Sequence, residues 1–240
     1  MVERKKPRVL LVAEAVTLAH FARIVSLAKA LDPRLFQVVV ATDPRYQSLE
    51  TATPFPIHSI WSISGDEFAN SLARGKPLYD EKTLERYVED DLALLDQVKP
   101  DLVVGDFRLS LAVSAPLAQV PYAAVVNAYW SPFADTIYPV PDIPALRPLG
   151  ASVAQRVFNV VRPLAFALHA RPLNRVRRRH GLPSLGGDLR NVYSWGNHTL
   201  YPDIPELFPT RDLPANHHYL GPVTWSAKTP LPDWWDKLPT

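Results

Sequence analysis

The chain has 240 residues, 47% of them hydrophobic, and a formal charge of only +2 from 26 basic and 24 acidic side chains. That is enough apolar material for one sizeable buried core. Cysteine is absent, which excludes a disulfide scaffold, thiol catalysis and a thiolate metal site, and fits a reducing cytoplasm. The basic start, Met1 to Pro7, leads into an apolar run from Val9 to Ala13 that is too short for a secretion signal, and no stretch approaches the roughly 18 apolar residues of a membrane span.

In chain order, Arg8 to Ala13 reads as a strand. A helical pattern follows at Ala19, Ile24, Leu27, Ala28 and Leu31, then a Val-rich strand from Phe36 to Ala41 and a third strand from Ile57 to Ile60. Residues 61 to 80 mix Gly65, Gly75 and Pro77 with Trp61, Phe68 and Tyr79, and read as a loop or short helices of the kind that bind ligands. Leu84, Val88, Leu92 and Leu95 keep helical spacing until Lys99-Pro100 ends the helix. Asp101 to Gly105 is a fourth strand, Leu109 to Gln119 a helix, and Tyr122 to Asn127 a fifth strand. Beyond these, Ala151, Val153, Val157, Val160, Val161, Leu164 and Leu168 form a helical apolar stripe, read as core, with Pro163 and Pro172 implying a kink or two helices end to end.

Regular alternation of strand and helix predicts an α/β, doubly wound, mostly parallel sheet, because parallel strands need crossovers and right-handed crossovers cover both faces with helices. The expected strand order begins 3-2-1-4, which places the first and fourth strands side by side where the winding reverses. Ligands bind beyond the C-terminal ends of strands at such a point. His20, shortly after the first strand, and Asp106, directly after the fourth, both emerge there. A neutral imidazole held by a carboxylate can take a proton from a hydroxyl. The alternative is structural: His20 packing at the start of a helix, Asp106 capping one.

Charge is unevenly spread. Residues 151 to 190 hold eight Arg against Asp188 alone, a net +7 that leaves −5 for the rest. Arg175, Arg177, Arg178 and Arg179 fall near a helix C-terminus, where cations favour the helix dipole, and the stretch lacks the interleaved aromatics of a nucleic-acid site; no nucleic-acid partner is expected. His58, His169, His180 and His198 are scattered and His217-His218 lacks metal-ligand spacing, so no metal is expected.

Several stretches resemble the GT-B glycosyltransferases of the UDP-glycosyltransferase type, including bacterial macrolide and natural-product enzymes. They are Val9-Leu10-Leu11-Val12 with His20 to Leu31; Pro100 to Phe107; Arg178-Arg179-His180-Gly181-Leu182-Pro183; and Tyr201 to Pro209 with Leu220-Gly221-Pro222. In that family a Gly-His-x-x-Pro motif follows the first strand; here Ala19 stands in place of its Gly and Arg23 in place of its Pro. The resemblance implies the N-terminal half of a GT-B architecture: a Rossmann-like acceptor-binding domain over residues 1–223, then the start of an interdomain linker over 224–240. It makes His20 the catalytic base and Asp106 its orienting partner in transfer of a sugar from a nucleotide-sugar to an acceptor hydroxyl, with no other cofactor.

The acceptor site would be roofed by residues 61 to 80 and 128 to 145. Trp61, Phe68, Tyr79, Phe107, Tyr129, Trp130 and Phe133 are available to line a pocket for a hydrophobic, hydroxylated small molecule, with Arg108 and Asn127 as polar contacts; the alternative for any one ring is core packing. No Gly-rich phosphate loop is present, so the nucleotide-sugar site is assigned to an absent C-terminal donor-binding domain, and the chain alone is expected to be inactive. It is either a fragment of a longer enzyme or a natural half that pairs with a separate subunit. A non-catalytic small-molecule binding or interaction domain on the same scaffold is the other functional class.

Overall fold

The computed structural model describes residues 5–50, 53–141, 148, 150–226, 232, 234 and 235. A seven-stranded, wholly parallel sheet runs through them in the order β3-β2-β1-β4-β5-β6-β7. The strands are β1 (Arg8–Ala13), β2 (Gln37–Thr42), β3 (Ile57–Ser59), β4 (Leu102–Asp106), β5 (Tyr122–Val125), β6 (His198–Tyr201) and β7 (His217–Tyr219). The first five lie where hydrophobic patterning put them, and their 3-2-1-4 order is the expected one. β6 and β7 were not foreseen: each is short, and polar residues such as His198, Thr199 and His218 break the apolar run that marks a buried strand.

Side chains alternate across β1 and so divide the core in two. Leu10 and Val12 meet Leu94, Leu95 and Val98 of α3 (Glu81–Val98) and Leu111 and Ala115 of α4 (Leu111–Leu117). Val9, Leu11 and Ala13 meet Ile24 and Ala28 of α1 (Leu18–Ala30) on the other face. Helices thus cover both faces, the doubly wound arrangement. Within residues 61 to 80 a short helix does form, α2 (Gly65–Ala73). It opens on a capping box in which Ser64 accepts from Glu67 N–H and the Glu67 carboxylate accepts from Ser64 N–H at 2.9 Å.

One expectation is corrected in α5 (Ala151–Arg179), a helix of 29 residues that contains Pro163 and Pro172. Its N-terminal apolar stripe is not core: Val153, Val157, Val160, Val161, Leu164 and Leu168 are all exposed. The core-facing residues are instead Ala170, Leu173 and Val176. At about 100° per residue these lie on the side of the helix opposite the stripe. A short α6 (Leu189–Tyr193) follows. The 224–240 tail lies largely outside the described residues. Among the described residues no helix is long and apolar enough to cross a membrane.

Candidate active site at the strand ends

β1 and β4 pair in parallel with Ala13 opposite Asp106, and Glu14 N–H donates to Asp106 O at 3.0 Å just beyond the last rung. The chain then crosses to α1, whose first turn carries His20. His20 and Asp106, 86 residues apart, are brought together: His20 Nδ1 lies 2.8 Å from Asp106 Oδ1, with the carboxylate fully buried and the imidazole 13% exposed. A proton on Nδ1 donates to that carboxylate, which leaves the Nε2 lone pair as the basic site.

A third side chain, unforeseen in this role, completes the arrangement. Arg23 grips the same carboxylate with two prongs, Nε to Oδ2 at 2.7 Å and Nη2 to Oδ1 at 2.8 Å, and its Nη1 donates to Asn127 Oδ1 at 2.9 Å. Arg23 Nη2 also stands 2.9 Å from His20 Nδ1. Nδ1 can donate to Asp106 or accept from Arg23, not both, so the two neighbours compete over which ring nitrogen holds the proton. The available signal was spacing, since a residue three positions after His20 on a helix shares its face. Asn127 is therefore occupied as an acceptor for Arg23.

Phe107 follows Asp106 with φ of 60°, a left-handed conformation uncommon for a residue with a side chain. The bend lays its ring parallel to the imidazole, centroids 5.0 Å apart at 6°. From Phe107 a run of ring contacts reaches Phe68, Tyr79 and Tyr193, and Tyr193 meets Trp130 edge-on at 5.0 Å, which in turn meets Tyr129. Trp61 joins through Tyr87. Phe133 instead packs on His217. Six of the seven expected aromatics thus form one cluster beside His20. Tyr79 is buried in the core, the alternative open to each ring, and burial pushes its hydroxyl upward in pKa.

Arg108 is a correction. Expected as a polar contact for a ligand, it is completely buried beneath the site. Its Nε donates to Asp91 Oδ1 at 2.9 Å, its Nη1 to Glu14 Oε2 at 3.2 Å and to Trp61 O at 2.8 Å, and the guanidinium stacks 3.7 Å over the Tyr87 ring. Tyr87 Oη donates to Glu14 at 2.9 Å, and Ser110 and Ser114 donate to Asp91. One guanidinium serves two carboxylates, so burial pushes both carboxyls upward while Arg108 pulls them back. This network joins the end of β1 to α3 and the start of α4, and so fixes the floor under His20 and Asp106. Among the described residues no group of three or more His, Cys, Asp or Glu is placed to hold a metal ion.

No family model matches the chain. A "PGL/p-HBAD biosynthesis rhamnosyltransferase" of Mycobacterium bovis (strain BCG / Pasteur 1173P2) is 52% identical over 236 residues, 98% of this chain and 52% of the relative. An "Inactive PGL/p-HBAD biosynthesis glycosyltransferase" of the same strain is 48% identical, over 98% of this chain and 64% of its own length. Among solved structures the spinosyn forosaminyltransferase SpnP superposes with a TM-score of 0.57 at 19% identity, covering 98% of this chain and 56% of that one. The chain thus spans roughly half to two-thirds of the length of the curated relatives it matches. Over nearly its whole length the chain is thus similar in sequence to curated mycobacterial glycosyltransferases, and its fold is similar to that of the solved glycosyltransferase SpnP.

Proposed function

We propose that the chain is the acceptor-binding, base-bearing half of a glycosyltransferase that moves a sugar from a nucleotide-sugar to a hydroxyl of a hydrophobic small molecule. The observation that carries this is the 2.8 Å contact of His20 Nδ1 with buried Asp106 at the strand ends where β1 and β4 adjoin. With Nδ1–H held by Asp106, His20 Nε2 takes the acceptor hydroxyl proton. The acceptor oxygen bonds the anomeric carbon, the bond from that carbon to the phosphate oxygen breaks, and the nucleoside diphosphate leaves with the electron pair, in a single displacement with inversion. A positioned base supplies about 10²- to 10⁴-fold. Asp106 orients the ring and stabilises the imidazolium, and Arg23 locks the carboxylate while setting a limit on how much of its charge His20 feels.

The half-buried rings of Phe68, Phe107, Tyr129 and Trp130 supply the apolar wall for the acceptor. The donor phosphates have no Gly-rich loop here, and we assign them to the part of the relatives' length that this chain does not span. A cytoplasmic site of action follows from the nucleotide-sugar and the cysteine-free composition. One relative is named inactive, so kinship alone does not decide between enzyme and binding domain; an intact His–Asp pair favours the enzyme.

Ligand titration of the 240-residue chain tests the division of labour. Hydrophobic hydroxylated compounds such as polyphenols, macrolides and sterols should quench Trp fluorescence saturably, and nucleotide-sugars should bind far more weakly by calorimetry. Micromolar nucleotide-sugar binding, with no acceptor binding, would overturn the assignment.

A further inference from the structure

The N-terminal half of α5 presents an apolar face that nothing among the described residues covers. Val153, Val157, Val160, Val161, Leu164 and Leu168 fall within an arc of about 100° and run some 24 Å along the helix, on the side turned away from the sheet. Exposure is greatest at the middle, 80% for Val160 and 65% for Leu164. Unpaired apolar stripes of this extent mark interaction surfaces. The charge pattern indicates for what. The helix contains no Asp or Glu from Ala151 to Arg179. Arg171 and Arg178 continue the same face toward the C-terminus, Arg156 borders it, and none of the three has an ion-pair partner among the described residues. Arg162 lies on the side of the helix away from the stripe, held over the Tyr138 and Phe166 rings.

We propose that this face of α5 docks on an anionic lipid bilayer, lying in the interface with the Val and Leu side chains inserted and the arginines against the headgroups. A helix with a valine and leucine stripe, arginine borders and no carboxylate is complementary to a negatively charged apolar boundary. A second copy of the chain fits poorly, because packing this face on itself would set arginines against arginines or against valines with no carboxylate to meet them. The inference does not depend on the catalytic assignment, since the surface is defined by exposure and charge alone.

Vesicle flotation of the 240-residue chain tests it, with vesicles of phosphatidylcholine alone and of phosphatidylcholine mixed with phosphatidylglycerol. The chain should float with the mixed vesicles and much less with the neutral ones. The double substitution Val160→Asp/Leu164→Asp should reduce binding by at least about tenfold. Arg156→Glu/Arg171→Glu should reduce it on anionic vesicles only, as should about 0.5 M salt. These positions are exposed, so the variants retain the native far-UV dichroism. Absence of flotation, or flotation unchanged by Val160→Asp/Leu164→Asp, overturns the proposal. So does a concentration-dependent dimer in light scattering that the same double variant dissolves while lipid binding is absent, which would assign the face to a second copy.

Discussion

Replacing Arg108 by Met removes a guanidinium of similar reach and leaves two carboxylates, Glu14 and Asp91, buried with only hydroxyl donors. Three side-chain hydrogen bonds vanish, to Asp91, Glu14 and the Trp61 carbonyl. Breaking a fully buried pair in this way costs about 3–5 kcal/mol, a large share of the roughly 5–15 kcal/mol by which domains are stable. The pH dependence has a definite sign. Burial has already raised both carboxyls above their unfolded values of about 4, so the folded state holds their protons more tightly, and the stability they contribute is complete below that value and lost as pH rises through the folded one. Without Arg108 the folded values climb further, so the deficit of Arg108→Met against wild type should be larger at pH 7 than at about pH 5. Urea unfolding followed by circular dichroism at the two pH values measures it, and Glu14→Gln/Asp91→Asn added to Arg108→Met should restore much of the loss at pH 7. A loss under about 1 kcal/mol at both pH values, with weakened acceptor binding, would refute the buried-network account and return Arg108 to the ligand.

Arg23→Met should cost about 3 kcal/mol, the low end for a buried pair because the guanidinium keeps slight exposure; Arg23→Lys should recover only part, since an ammonium cannot make the two-pronged contact, and urea melts that rank Lys equal to wild type would contradict the geometry. In the same variants, nitrogen-15 spectra of the His20 ring should show the proton more completely on Nδ1 than in wild type, with an unchanged tautomer ratio counting against competition between Arg23 and Asp106. Gly105→Ala would bring a Cβ to 2.4 Å from Leu111 Cδ1 and 3.1 Å from the Tyr122 ring, an overpacking that should cost about 1–3 kcal/mol. An unchanged urea midpoint would mean that this layer is looser than the structure shows.

The parallel core was legible because β1, β2, β4 and β5 are short Val- and Ala-rich runs separated by helices of regular spacing, and the pairing of His20 with Asp106 followed from where a 3-2-1-4 sheet places its strand ends. The α5 stripe misled because periodicity identifies an apolar face without saying what it faces: the same Val and Leu spacing describes a core helix and a surface one. Arg108 misled for the complementary reason. An arginine next to a site residue reads as a ligand contact until Glu14 and Asp91, distant in sequence, are seen to converge on it. Arg23 was visible as a departure from the Gly-His-x-x-Pro pattern and in its three-residue spacing from His20, but its partner Asn127 lies 104 residues away. What escaped the sequence was mostly polar pairing across long separations, which has no periodic signature.

The base assignment is tested most directly by His20→Ala in sugar transfer by the complete enzyme proposed above, with acceptor affinity measured separately. The variant should lose about 10²- to 10⁴-fold in kcat while acceptor Kd stays nearly unchanged, and Asp106→Asn should lose less. Wild-type kcat in His20→Ala across pH 6 to 9 would contradict the account.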